Sequence, residues 1–338
     1  MSVQMVIRHP RPLQKGKVMG REGQSGGRFC KHWNLIAVLG PTASGKTALA
    51  VRLARKIGGE IISADSRQVY RYLDIGTAKP TLQQLQQVKH HIINIIDPSE
   101  SYNAGRFCKD AGNIIEELHS RGIIPIVCGG TGLYVSSLLK GLFPEIKMNK
   151  DIRITLMQRM NQEGLSTLYE ELKKIDPDFA FKISSNDKQR ILRGLEVYYA
   201  TGIPITKHWK NQTSHNRYHT FRILLQPPRE ILYPRINNRI QQMIDSGLLN
   251  EIEHLFKLGY TPLSPGLNTL GYKEFLPYFL ESAPLEQCIA LAAQHTRNYA
   301  KRQYTWYRKY KFDLTSTSND YIISEIMNKI NIKFEYKK

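Results

Sequence analysis

Residues 35–54 read LIAVLGPTASGKTALAVRLA, an apolar run, a glycine-rich turn and an amphipathic stretch in direct succession. LIAVL is the short continuous apolar segment expected of a strand covered on both faces of a parallel sheet. From Thr47 to Ile57, Leu49, Leu53 and Ile57 recur near helical spacing while Arg52, Arg55 and Lys56 fall elsewhere, which predicts a helix. Between them, Gly40, Pro41, Thr42, Ala43, Ser44, Gly45, Lys46 and Thr47 fit the pattern G-x-x-x-x-G-K-[ST] in full. Four fixed positions arise by chance in about one chain in a hundred of this length. In a strand–turn–helix setting the loop N–H groups and the helix N-terminus converge on an anion. Lys46 adds a mobile positive charge for the outer phosphate, and the Thr47 hydroxyl is a natural Mg²⁺ ligand. The loop alone says only that it binds a phosphate chain, with ATP or GTP as the default.

Outward from this stretch the pattern repeats. EIISAD from Glu60, HIINIID from His91 and IIPIVCGG from Ile123 read as further strands, with a helix from about Ala104 to Ser120 crossing between the last two. After Pro144 the segments turn charged and helical up to about Asn216. FRILLQPP from Phe221 returns to strand character, followed by a long helical pattern from Arg229 to Leu258 with Ile236, Ile240, Met243, Ile244 and Leu248 on one face, and by a basic helix over Leu285–Lys311. The expected fold class is α/β, a parallel P-loop NTPase-like sheet flanked by helices, with an inserted all-helical subdomain. The expected division is a leader over 1–33, an α/β core over 34–144, a helical insertion over 145–216, a return to the core with basic, aromatic helices over 217–315, and a tail over 316–338.

A chain of 338 residues, 41% hydrophobic, is long enough for a large core and about two domains. No run approaches the roughly 18 apolar residues of a membrane span. Cys30, Cys108, Cys128 and Cys288 form no CxxC pair, which favours a reduced compartment without a structural metal. Lys and Arg number 48 against 29 acidic residues, a net charge of +19 that attracts polyanions, nucleic acid first among them. The first 33 residues carry Arg8, Arg11, Lys15, Lys17, Arg21, Arg28 and Lys31 against Glu22 alone, without apolar periodicity. That composition predicts a disordered leader, not a secretory signal. A cytoplasmic location is expected, with an organelle transit peptide or a start at Met19 as alternatives.

Carboxylates complete a phosphate site. Asp97 ends the apolar run IINIID, where a second Mg²⁺ ligand belongs in a nucleotidase, whereas IIPIVCGG ends in Cys128 and glycines. Asp65 stands at the C-terminal end of the second strand, where open α/β sheets bind ligands, and so faces the loop. It can take a proton from an incoming nucleophile, or be a turn or cap aspartate. DIGTAKP from Asp74 has turn chemistry without a self-evident mechanism. In GGTGLY, Thr131 offers a hydroxyl or a helix cap. KRQYTWYRKYK interleaves Lys301, Arg302, Arg308, Lys309 and Lys311 with Tyr304, Trp306, Tyr307 and Tyr310, the mixture that holds unpaired nucleic acid. The same spacing also suits an amphipathic helix with its rings in the core.

GPTASGKT, SADSRQVYRYLDIGTAKP, HHIINIIDPSESYNAGRF, GGTGLY, NDKQRILRGLEVYYATGIPI, GYKE and AKRQYTWYR together resemble the tRNA dimethylallyltransferases, over about Leu35 to Leu314. The resemblance implies transfer of a dimethylallyl group from dimethylallyl diphosphate to N6 of the adenosine 3′-adjacent to the anticodon, in tRNAs reading codons that begin with U. Mg²⁺ assists and diphosphate is released, so the loop holds that diphosphate and not ATP. It implies Asp65 as general base, Lys46 and Thr47 as diphosphate and Mg²⁺ contacts, and Arg239 as a second cationic clamp. It implies contacts to the tRNA anticodon stem-loop from Asp65, Ser66, Arg67 and Gln68, Thr131, and Arg153. Further contacts are implied from Gln189, Arg190, Ile191, Leu192 and Arg193, from Asn268, Thr269, Leu270, Gly271, Tyr272 and Lys273, and from Lys301, Arg302 and Arg308. The leader is additional to the family core. The missing C-terminal Cys/His zinc finger favours a bacterial-type or organellar-type enzyme, and a monomer is expected. An ATP-dependent small-molecule kinase and a non-catalytic RNA-binding protein are the alternatives from other classes.

Overall fold

Six strands, all paired in parallel, form one sheet: β1 (Leu35–Leu39), β2 (Glu60–Ser63), β3 (His90–His91), β4 (Pro125–Gly129), β5 (Thr220–Leu225) and β6 (Leu314–Ser316). They lie in the order β3-β2-β4-β1-β5-β6. The computed structural model describes residues 33–141, 150–210, 217–317 and 319–330. The leader's cations and Cys30, both edges of the expected insertion (142–149 and 211–216), and the tail's end from 331 lie outside the described residues.

The central strand is the LIAVL run. Its five residues are buried, and alternation sends Leu35, Ala37 and Leu39 to one face and Ile36 and Val38 to the other. The chain crosses over through α1 (Lys46–Ile57), α2 (Leu82–Gln87), α3 (Ala104–Ser120) and α4 (Gly132–Lys140). Five helices follow, α5 (Lys150–Glu163), α6 (Leu165–Ile175), α7 (Pro177–Ala180), α8 (Lys188–Thr201) and α9 (Ile205–Lys210), around a core of their own in which Leu168, Leu172 and Leu195 are fully buried. After β5 come α10 (Arg229–Asp245), α11 (Leu248–Lys257), α12 (Leu276–Leu280), α13 (Leu285–Tyr307) and α14 (Asn319–Ile330). Helices α10 and α13 pack on each other through Leu232, Ile236, Ala300 and Tyr304. Among the described residues no helix is long and apolar enough to cross a membrane.

Three expectations change. HIINIID is strand only at His90–His91, because Ile92 and Asn94 adopt left-handed backbone (φ 61° and 57°) that a strand cannot continue. Its apolar residues are turned instead into a loop that pairs with the segment after β2 at a single parallel bridge outside the sheet, Tyr70 to Ile96. The long pattern from Arg229 to Leu258 is two helices, broken where Gly247 takes φ 96°. The sheet also gains β6, whose three residues are too few to show a period.

The DIGTAKP segment has a structural explanation. The Glu251 carboxylate, on α11, accepts hydrogen bonds from the backbone N–H groups of Asp74, Ile75 and Gly76 at 2.9–3.4 Å, so three consecutive amides close on one internal anion. The Tyr272 hydroxyl donates to the same carboxylate at 2.5 Å and accepts from Gly76 N at 3.1 Å. Lys79, its side chain 5% exposed, donates to the Tyr70 carbonyl and the Asp74 carboxylate, both at 2.6 Å, and to the Asn94 side chain. A buried cation with three acceptors in this way staples the loop. Gly76 is required because a Cβ there would stand 2.4 Å from the Tyr272 ring. Gly76→Ala is expected to cost about 1–3 kcal/mol, read as a lower urea midpoint at unchanged slope.

Candidate active site

The glycine-rich loop leaves the C-terminal end of β1 and enters α1 through two left-handed residues, Ala43 at φ 60° and Gly45 at φ 90°. For alanine this shape costs on the order of 1–2 kcal/mol. Tyr307 of α13 grips the first residue of the loop: its hydroxyl accepts from Gly40 N at 3.2 Å and donates to Gly40 O at 2.9 Å. A Cβ on Gly40 would stand 2.5 Å from the Leu225 carbonyl, so the loop also leans on β5. Lys46 Nζ donates to Pro41 O at 3.2 Å, arching back over the loop. Ser44 Oγ is buried without a hydrogen-bond partner among the described residues.

Two cavities meet at this loop. The first, about 580 Å³, is lined by Gly45, Lys46 and Thr47, with Gln68, Arg235 and Gln303 around it. The second, about 560 Å³, is lined by Ser66, Arg67, Asn268, Leu270, Gly271, Lys273 and Arg302. Thr42, Ala43, Asp65, Thr77, Arg239 and Tyr299 belong to both. Asp65 is thus a junction residue. Its Oδ1 accepts from Arg67 N at 2.9 Å and Gln68 N at 3.4 Å, so it is a turn aspartate as well. No hydrogen bond among the described residues engages Oδ2.

Electrostatics mark the same place. Burial holds the Lys46 ammonium below the ordinary lysine value, with Arg239 pushing the same way and Cys128 and Asp65 opposing. Burial likewise lowers Arg239, again against Asp65. The Cys128 thiol is pushed up to about 12 by burial and is no nucleophile. Burial and the Asp65 charge raise the Tyr299 phenol to about 12, so it stays a neutral donor, set against the Thr131 hydroxyl.

Most loop and junction residues expected from the sequence come together, with corrections. Gly40 and Pro41 are buried behind the loop and do not line either cavity. Gln68 ties Ser63 Oγ to the carbonyls of Thr77 and Ala78. Thr131 stands at the head of α4 but caps nothing there; its Oγ1 accepts from Ser66 N at 3.1 Å. In the helical unit Arg153 and Arg193 both pair with Glu196, and Arg190 with Asp187. Ile191, Leu192, Thr269 and Tyr272 are core positions, 0–1% exposed, whose side chains cannot meet a polymer. Successive helical residues turn about 100°, so Gln189 to Arg193 cannot share a face. On α13, Tyr304 and Tyr307 are buried, while Lys301, Arg302 and Arg308 occupy the exposed side. Asp97 does not line either cavity: its carboxylate accepts from Ser99 and from the Tyr260 hydroxyl, in the loop that replaced the expected strand. Arg235 and Tyr299 escaped the sequence reading. Arg235 was within reach of it, four residues before Arg239 on one helix face.

A phosphate loop on a central parallel strand, faced by a carboxylate and buried cations, defines a P-loop-type α/β protein. The chain belongs to the IPP transferase family, whose model matches residues 68–310, and an isopentenyl transferase model matches residues 33–98. It is 41% identical over 304 residues to the tRNA dimethylallyltransferase of Thermoanaerobacter sp. (strain X514), covering 89% of this chain and 96% of that one. It is 43% identical over 277 residues to that of Carboxydothermus hydrogenoformans, covering 81% and 89%. A tRNA delta(2)-isopentenylpyrophosphate transferase structure from Staphylococcus epidermidis matches with TM-score 0.65 at 38% identity, over 88% of this chain and 98% of that one. A eukaryotic dimethylallyltransferase acting on tRNA matches with TM-score 0.73 at 33% identity, over 87% and 75%.

An anion at the loop raises the Lys46 pKa back toward its ordinary value. Binding then takes up a proton between the free and bound pKa values, and affinity falls as pH rises through that window. Calorimetry with inorganic diphosphate is expected to show this loss at lower pH than an ordinary lysine would give. Lys46→Met should weaken the neutral-pH affinity about 10–100-fold.

Proposed function

We propose that this chain transfers a dimethylallyl group from dimethylallyl diphosphate to N6 of the adenosine 3′-adjacent to the anticodon, in tRNAs reading codons that begin with U. The observation that carries this reading is the position of Asp65, shared by both cavities and flanked by Lys46 and Arg239. Family membership supplies the substrate class.

In this reading the diphosphate lies on the Gly40–Thr47 loop and the flipped adenine enters from the second cavity. The allylic C–O bond breaks and its electron pair leaves with the diphosphate, whose growing charge Lys46, Arg239 and the loop amides offset. N6 is a weak nucleophile because its lone pair is delocalised into the ring. As the C–N bond forms, Asp65 accepts the N6 proton through Oδ2, since Oδ1 is held by two amides. The Thr47 hydroxyl lines the donor cavity beside Lys46 and fits a hard cation, so Thr47 would hold Mg²⁺. Bound there, Mg²⁺ supplies Lewis-acid neutralisation of the leaving group. Water excluded by the bound RNA cannot capture the allylic cation. Lys273, Arg302 and Arg67 hold the anticodon loop, and Lys301, Arg308 and the cations of the helical unit hold its stem. One chain provides both cavities, so the reading needs no second copy, and it places the chain in the cytoplasm or an organelle where tRNA matures.

A small-molecule kinase is disfavoured, since the relatives are tRNA transferases and Asp97 is turned away from the loop. Incubation with Mg²⁺, dimethylallyl diphosphate and unmodified tRNA, followed by mass analysis of nucleosides, is expected to show one prenyl group added to adenosine. No product with any tRNA bearing adenosine at that position overturns the reading. Asp65→Asn should lower kcat about 10²–10⁴-fold while tRNA affinity, dominated by phosphate contacts, changes far less.

A further inference from the structure

The phosphate loop holds a shape that one of its residues disfavours, Ala43 in the left-handed region at φ 60°. Such a residue persists only where its surroundings fix it. Ala43 packs against Leu232, Ile236, Ala300 and Tyr304, and Gln303 on α13 holds the residue before it. The buried Gln303 side chain accepts from Thr42 N through Oε1 at 2.9 Å and donates from Nε2 to the Gly130 carbonyl at 2.9 Å. These partners allow the amide one orientation, because a rotated amide would set N–H against N–H and oxygen against oxygen. A Cβ on Gly130 would stand 2.3 Å from Nε2, so the glycine makes room for this contact. Next to Gly130, Thr131 accepts from Ser66 N, and Ser66 follows Asp65. One line of contacts therefore runs from Thr42 through Gln303, Gly130, Thr131 and Ser66 to the carboxylate.

We infer that Gln303 is a positioning residue for the transfer, setting the phosphate loop in register with Asp65 without touching the reacting atoms. The inference rests on the function proposed above. Loop and carboxylate come from different strands, β1 and β2, which β4 separates in the sheet. The loop after β4 lies between them, and Gln303 ties it to the phosphate loop while Thr131 ties it to the Asp65 turn. A register error of about 1 Å between donor carbon and general base is enough to cost up to about 100-fold in rate.

Gln303→Glu and Gln303→Met test this in the full-length chain. An ionised glutamate keeps an acceptor for Thr42 N, loses the donor to Gly130 and sets a negative charge beside the diphosphate. Protonated, it restores both bonds. At neutral pH, Gln303→Glu is expected to lower kcat about 10–100-fold and to weaken inorganic diphosphate binding, with tRNA affinity unchanged within about threefold. The ratio of its kcat to wild type, measured pH by pH, should rise as pH falls. Gln303→Met should lose kcat without acid recovery. If instead both variants lower only the melting temperature, and kcat below that temperature stays at wild type without a pH-dependent ratio, the residue merely packs and the inference is overturned. If the wild-type chain binds diphosphate but prenylates no tRNA, the proposed function falls separately, and wild-type diphosphate affinity in both variants would then overturn the role of Gln303.

Discussion

Everything at the site depends on two cations kept out of water beside one another. Lys46 and Arg239 are each disfavoured as charges by their burial, and the Asp65 carboxylate is the group that opposes this at both. An isolated buried charge is expensive and its desolvation is repaid only by a well-placed partner. One carboxylate between two cations leaves a net positive centre, so the arrangement favours a polyanion and favours it most when negative charge increases. That is the condition of a diphosphate as its bond to carbon breaks. The sheet order serves the same end: β1 is central, β4 is its neighbour and β2 lies one place further, so the loops after these strands converge at one edge.

The sequence made legible those features whose causes are local. A buried strand, a glycine turn and an amphipathic helix are each written within a few residues, and LIAVLGPTASGKT was read to within one residue of β1 and α1. Asp65 was placed by a rule about strand ends, and Arg239 by family resemblance. Long-range causes were illegible. Nothing in DIGTAKP announces that its amides close on Glu251, 175–177 positions away. The apolar run HIINIID has strand composition, yet its backbone turns left-handed because Lys79 reaches Asn94 and the Tyr70–Arg71 backbone pairs with Ile96.

The tail motif shows how one segment carries two readings at once. Its cations and rings alternate in the linear sequence, but helical geometry sorts them: Gln303, Tyr304 and Tyr307 turn inward, and Lys301, Arg302 and Arg308 outward. The inward polar groups hold the phosphate loop and the outward charges face solvent beside the second cavity. Composition suggested rings for stacking on bases. The structure gives Tyr304 and Tyr307 to the protein interior and leaves Trp306 and Tyr310 half-buried.

The grip of Tyr307 on Gly40 spans 267 positions. A chain made from its N-terminus at about 5–20 residues per second completes the phosphate loop's sequence roughly 15–50 s before the residue that secures it exists. β1 must likewise wait for β4 and then β5 before both its edges are paired. Until then the glycine-rich loop has its sequence without its shape. The complete anion site therefore cannot form before α13 has been made, and a chain lacking α13 carries the motif without its contacts to Tyr307 and Gln303.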